Sequence, residues 1–111
     1  MLKRSYRLRK DRDFQKLYRN GRRYTTPHFV VYYLASRFEN TQVGFVVSKK
    51  VAKNAVVRNK LRRRASAVIE EYYPKISKPM QIIVLIRKDF SVLSSTELNT
   101  EINHLLGGIK L

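Results

Sequence analysis

Between Lys49 and Arg64 the chain places eight lysines and arginines in sixteen residues without one acid, and still threads an apolar series through them. Val57, Leu61, Ala65, Val68 and Tyr72 recur at intervals of four, four, three and four. That spacing predicts an α-helix, striped along one side by a continuous apolar face. Like charges packed this closely work against the folded state by self-repulsion. Such a helix therefore needs a hydrophobic surface for its stripe and an anionic one for its cations. Asn54 is placed to cap it before Ala55, and Pro74 to close it near Tyr73.

The remaining sequence supplies that hydrophobic surface. "HFVVYYLAS", after Pro27, reads as a strand rich in aromatic and β-branched residues. "FENT" is turn material, and "QVGFVVSK" is a second strand whose Val43, Phe45 and Val47 alternate onto one face. "MQIIVLIRK" is apolar without alternation, as expected of a strand buried on both faces. A further short strand fits Arg22 to Thr26. Two more helices flank these. In "KDRDFQKLYRNG", Asp11 is placed as a cap, Gly21 as a left-handed stop, and Phe14, Leu17 and Tyr18 share one side. In "SSTELNTEINHLLGG", Ser or Thr can cap, Glu97 sits near the positive end, and Gly107 provides the stop. The predicted fold is α+β: an α/β sandwich, one domain over residues 1–111, with three helices on a central mixed sheet of about four strands.

Charge narrows the partner. Twenty-four Lys and Arg face eight Asp and Glu, a formal net charge of +16. Between Phe14 and Ile69 the only acid is Glu39, against thirteen cations. A solvated helix face normally mixes signs to gain i, i+4 pairs, so the imbalance points to nucleic acid. An acidic membrane surface fits less well, because the stripe lacks Trp and Phe and is needed by the sheet. The longest apolar runs, "FVVYYLA" and "IIVLI", are too short to span a bilayer. No export signal is read in "MLKRSYRLRK" and cysteine is absent, both consistent with a cytoplasmic protein.

At about 100° per residue, Arg58 and Arg62 border the helix's apolar stripe. Asn59, Arg63 and Ser66 fall on the far side, and Lys60 on the other shoulder. Lys49, Lys50 and Lys53 extend the cations into the turn before the helix amino terminus, itself favourable for anions. A guanidinium row beside a sheet with exposed tyrosines suits a phosphate backbone with unpaired bases. Phe14 and Tyr18 fit either a core or such a base-stacking surface, and Tyr32 and Tyr33 must point to opposite faces. Asp11 and Asp13 point about 200° apart on a helix, which suits capping better than a metal-binding nuclease pair. His28 and His104 lie far apart in sequence without neighbouring acids, and are expected at the surface or half-buried. Nothing assembles a nucleophile, a base and an oxyanion site, so no catalytic and no metal-binding residue is assigned.

"VSKKVAKNAVVRNKLRRR" resembles the RNR motif of the bacterial ribonuclease P protein subunits. "DFQKLYRNGRRY", "HFVVYYL" and "IIVLIRKDFSVLSSTELNTEINHLL" resemble the same family's first helix, first strand, and last strand with closing helix. The resemblance implies a ribosomal protein S5 domain 2-like sandwich with a left-handed βαβ crossover, against the usual right-handed preference. It also implies the protein subunit of an endoribonuclease, bound one to one to a catalytic RNA that removes the 5′ leader of precursor tRNA with Mg²⁺. No dedicated metal site is expected in the protein. The motif's RNA-contacting positions fall on Arg58, Asn59, Lys60, Arg62 and Arg63, with Lys49, Lys50 and Lys53 extending the patch. Phe14, Tyr18 and Tyr32 match aromatic positions lining the leader cleft, between the first helix, the sheet and the motif helix. Lys60 replaces the usual Arg and loses its bidentate fork, and Ala52 stands where many members have Gly. The alternatives are a structural RNA-binding protein of ribosomal type and a self-sufficient metal-dependent nuclease.

Overall fold

The run predicted as a doubly buried strand lies at the centre of the sheet. In the computed structural model, which describes residues 7–36, 40–76 and 78–109, that run is β4, Met80–Ile86. It lies between β2 (Phe29–Ala35) and β3 (Gln42–Val47), and β1 (Arg22–Thr25) pairs with the outer side of β2. The order β1-β2-β4-β3 is antiparallel except between β3 and β4, which run parallel and are joined through α2 (Ala55–Tyr72). The sheet is therefore mixed, as expected. Two of the "FENT" residues, Phe38 and Glu39, lie outside the described residues.

Strand alternation gives the sheet two apolar faces. Phe29, Val31 and Tyr33 of β2, Val43 of β3, and Ile82, Val84 and Ile86 of β4 join the main core with Leu61, Ala65 and Ile69 of α2. α3 (Ser95–Gly107) completes that core through Leu98, Ile102, Leu105 and Leu106. The opposite face carries a smaller cluster of Leu8, Leu17 and Ile83, with Phe14, Tyr32, Leu34 and Val46 packed against it. α1 (Asp11–Asn20) supplies Leu17 and Phe14 to this cluster. The result is a sandwich of α1, then the sheet, then α2 with α3.

The caps follow the predicted chemistry in two helices and depart from it in the third. Asn54 Oδ1 accepts from the Val56 amide at 2.8 Å, and Ser94 with Glu97 closes a capping box at α3. Asp11, expected as a cap, is instead the first residue of α1. Lys10 holds the cap position without a side-chain bond, and Asp11 with Asp13 complements the positive end of the helix from inside the first turn. Gly21 is extended rather than left-handed, with φ −72° and ψ 153°. Glycine is needed there for room, since a Cβ would run into the carbonyl oxygen of Leu17. Gly107 is the last helical residue of α3, and Gly108 forms the cap in a right-handed conformation.

A carboxylate latch ties α3 to the β1–β2 hairpin. Glu101 accepts from the Thr26 hydroxyl at 2.8 Å, the His28 amide at 2.9 Å and His28 Nδ1 at 2.7 Å. His28 is half-buried, as expected, but its acidic partner lies 73 residues away and gave no local sign. Burial pushes the Glu101 carboxyl upward, and the hydrogen bonds from His28 and Thr26 outweigh it and hold the group below its ordinary value. His104, exposed, pairs its Nε2 with the Tyr24 hydroxyl at 3.0 Å.

Candidate nucleic-acid interface

The cations of α2 divide into those that face outward and those that hold the fold. Lys49 and Lys50 lie exposed in a turn after β3, Lys53 is exposed just before the cap, and Asn59, Lys60 and Arg63 are exposed on α2. Arg58 and Arg62 are half-buried at the stripe's border, as their helical angle predicts. Arg58 donates from Nη1 to the carbonyls of Ala52 and Lys53, both at 2.9 Å, and so braces the turn that presents the lysines. Arg62 donates from Nη2 to Asn59 Oδ1, which orders both side chains one turn apart. Arg64 turns the other way. It bonds the carbonyls of Phe90 at 3.3 Å and Leu93 at 2.8 Å, with its guanidinium 5.5 Å from the Phe90 ring centre. Within an otherwise outward-facing run, Arg64 is a tie between α2 and the segment before α3.

Ser66 corrects the angular reading. Helical angles alone predict it on the far side with Asn59 and Arg63, but it is 1% exposed and its hydroxyl has no partner among the described residues. Ile69 is likewise buried, so the inward face of α2 is rotated from the Val57–Tyr72 stripe toward Ala65, Ser66 and Ile69. The rotation brings Arg62 and Ser66 over the β3 edge. There they line a cleft of about 210 Å³ with Arg7, Arg9, Gly44 and Phe45.

The aromatic residues lie on the opposite face of the sheet from α2, and not beside it as the sequence suggested. Tyr18 and Tyr32 meet edge to face with ring centres 5.0 Å apart. Phe14, half-buried in the same cluster, lies over Gly44, where a Cβ would stand 2.6 Å from its Cζ. Tyr33 is buried in the main core, so alternation separates the two tyrosines as predicted. Burial and the neighbouring Tyr32 raise the Tyr18 phenol above its ordinary value, so it stays neutral and able to donate. Tyr18 is 42% exposed, the open end of the trio.

What joins the two faces is the amino-terminal segment. Arg7 forms a parallel bridge to Val43, and the Leu8 amide donates to the Val43 carbonyl at 3.0 Å. Arg7 and Arg9 thereby stand at the β3 edge between the aromatic face and Arg62. The sequence "MLKRSYRLRK" by itself marks no site in this segment. A bridge to a strand some 36 residues on leaves no periodic trace in so short a segment. Among the described residues no three of His, Cys, Asp and Glu converge on a metal-sized space, and no helix is long and apolar enough to cross a membrane.

An α+β sandwich with cations along one helix, a partly exposed aromatic cluster across the sheet and arginines at the edge between them defines a small basic protein shaped for a polyanion. The comparisons with known proteins specify the class. The sequence profile of the Ribonuclease P family matches residues 2–110. A ribonuclease P protein component of Streptococcus pneumoniae is 30% identical over 105 residues, covering 95% of this chain and 85% of the relative. The ribonuclease P protein of Thermotoga maritima superposes with a TM-score of 0.85 at 28% identity, over 95% of this chain and 98% of that one. That of Staphylococcus aureus gives 0.77 at 30% identity, over 92% and 93%. The chain belongs to the ribonuclease P protein family, whose membership implies an RNA partner and a part in tRNA processing.

Proposed function

We propose that the protein binds the catalytic RNA of ribonuclease P through α2 and the turn before it, and the 5′ leader of precursor tRNA across the β3 edge onto the aromatic face. The observation that carries this reading is the continuity from Lys49, Lys50, Arg58 and Arg63, through Arg62 with Arg7 and Arg9, to Phe14, Tyr18 and Tyr32. Guanidinium groups hold phosphates by paired hydrogen bonds, and the tyrosine faces accept unpaired bases. In this reading hydrolysis belongs to the RNA subunit, with Mg²⁺ held by the ribonucleoprotein, one protein per RNA, in the cytoplasm. Lys60 offers a point charge where the motif has a fork, so it contributes attraction without planar recognition.

Reconstitution with a bacterial ribonuclease P RNA and precursor tRNA at low Mg²⁺ tests this. The protein is expected to stimulate cleavage. A structural RNA binder would bind without stimulating, and a self-sufficient nuclease would cleave with no RNA added. Replacing Tyr32 by Ala is expected to weaken leader affinity by about 1–3 kcal/mol, the range for one base–aromatic stack. Equal loss for leaderless tRNA would refute that assignment.

A further inference from the structure

The aromatic face continues onto β1. Antiparallel pairing sets Arg23 directly opposite Tyr32, and directly opposed residues project from the same face with Cβ atoms about 4.5–5.5 Å apart. Tyr32 in turn meets Tyr18 of α1. The cross-strand row therefore runs Arg23, Tyr32, Ile83, Gly44, with Phe14 above its Gly44 end and an exposed guanidinium at the other. The Arg23 side chain meets no acid among the described residues. A charge on an edge strand also discourages sheet-to-sheet pairing, and that role would serve equally well on either face of β1. Only the face shared with Tyr32 roots the arginine one strand spacing, about 4.8 Å, from the tyrosine on which a base would stack.

We infer that Arg23 extends the aromatic face into a track for single-stranded RNA, its guanidinium taking the phosphate of the nucleotide beyond the one stacked on Tyr32. The leader then crosses the sheet from the β3 edge toward β1, and successive nucleotides meet Phe14, Tyr32 with Tyr18, and Arg23. This rests on the leader reading above and adds a polarity to it: Arg23 senses only leaders long enough to cross the sheet.

The test is affinity of the reconstituted ribonucleoprotein for precursor tRNAs with leaders of graded length, over a range of salt. Arg23→Ala is expected to lose about tenfold for long leaders at low salt, the effect of one charge-assisted bond, and nothing for leaderless tRNA. Its plot of log affinity against log salt should flatten by about 0.7, the value for one phosphate of a single strand. Arg23→Lys keeps the slope and recovers part of the affinity. Lys78→Ala removes the same charge beside Tyr72 and Leu106, on the α2–α3 side, and should change neither. If Tyr32→Ala loses leader affinity while Arg23→Ala keeps affinity and slope, the track ends at Tyr32 and the inference is overturned with the leader reading intact. If Arg23→Ala loses affinity equally for leaderless tRNA, Arg23 contacts another part of the complex and the inference is overturned. If neither variant loses leader affinity, the leader reading itself fails and takes this inference with it.

Discussion

Replacing Gly44 by Ala adds one methyl group and no charge, yet it should disable the aromatic face. The new Cβ would stand 2.6 Å from Cζ and 2.9 Å from Cε1 of Phe14, and 3.3 Å from Cβ of Leu8. Carbon atoms settle at about 3.5–4.0 Å, so the ring must retreat by about 1 Å. Gly44 lies in the middle of β3 without a positive φ, so alanine's backbone is unstrained and the clash is the whole penalty. Phe14 is half-buried at the end of a side chain, and it will swing outward before the sheet gives way. The expected cost in folding is about 1–3 kcal/mol, the usual range for overpacking by one carbon. Leader affinity should fall about as far as in Phe14→Ala, with leaderless tRNA unaffected. A double-mutant cycle isolates the cause. In a Phe14→Ala background the added methyl fills vacated space, and Gly→Ala in the strand should become stabilising by about 0.5–1 kcal/mol. Urea unfolding of the four proteins reads the coupling, expected at about 1.5 kcal/mol or more. Equal destabilisation by Gly44→Ala in both backgrounds would refute the contact as the reason.

Neighbouring arginines should separate binding from folding. Arg63→Ala is expected to weaken binding to the catalytic RNA and flatten its salt dependence with melting unchanged, whereas Arg64→Ala should cost about 1–3 kcal/mol of stability by freeing two carbonyls and the Phe90 face. Thermal melts and salt titrations of the pair distinguish them. Arg58→Ala should do both, since its guanidinium braces the lysine turn. Glu101→Gln should cost about 1–3 kcal/mol near neutrality. Because the folded carboxyl lies below its ordinary value of 4.5, its stabilisation is full above that value and is lost as pH falls through the folded one. The gap between wild type and Glu101→Gln in urea midpoints should therefore close in acid, and a gap constant down to the lowest pH would exclude the latch.

The amino-acid order alone sufficed for whatever repeats locally. The stripe through Val57, Leu61 and Ala65, the alternation of Val43, Phe45 and Val47, the Asn54 cap and a Ser or Thr cap with Glu97 in the first turn were all legible, and the structure adds that Ser94 and Glu97 close a reciprocal box. Each of these depends on residues within a few positions of one another, where helical and strand geometry leave little freedom. The basic motif was legible for the same reason, and so was the division between Tyr32 and Tyr33.

What the tertiary structure decided depends on elements meeting across the chain. Nothing local distinguishes Arg64, which ties α2 to Phe90 and Leu93, from Arg63, which faces outward. Ser66 is buried because α2 rolls toward the β3 edge, a rotation set by the sheet and not by the helix's own sequence. The separation of cations and aromatics onto opposite faces, their joining by Arg7 at Val43, the Glu101 latch and the register of Arg23 against Tyr32 all arise from pairings distant in sequence. Periodicity determines which side of an element is apolar. Only packing determines what that side meets, and here that meeting sets the cations of α2 and the aromatic cluster on either side of one sheet edge.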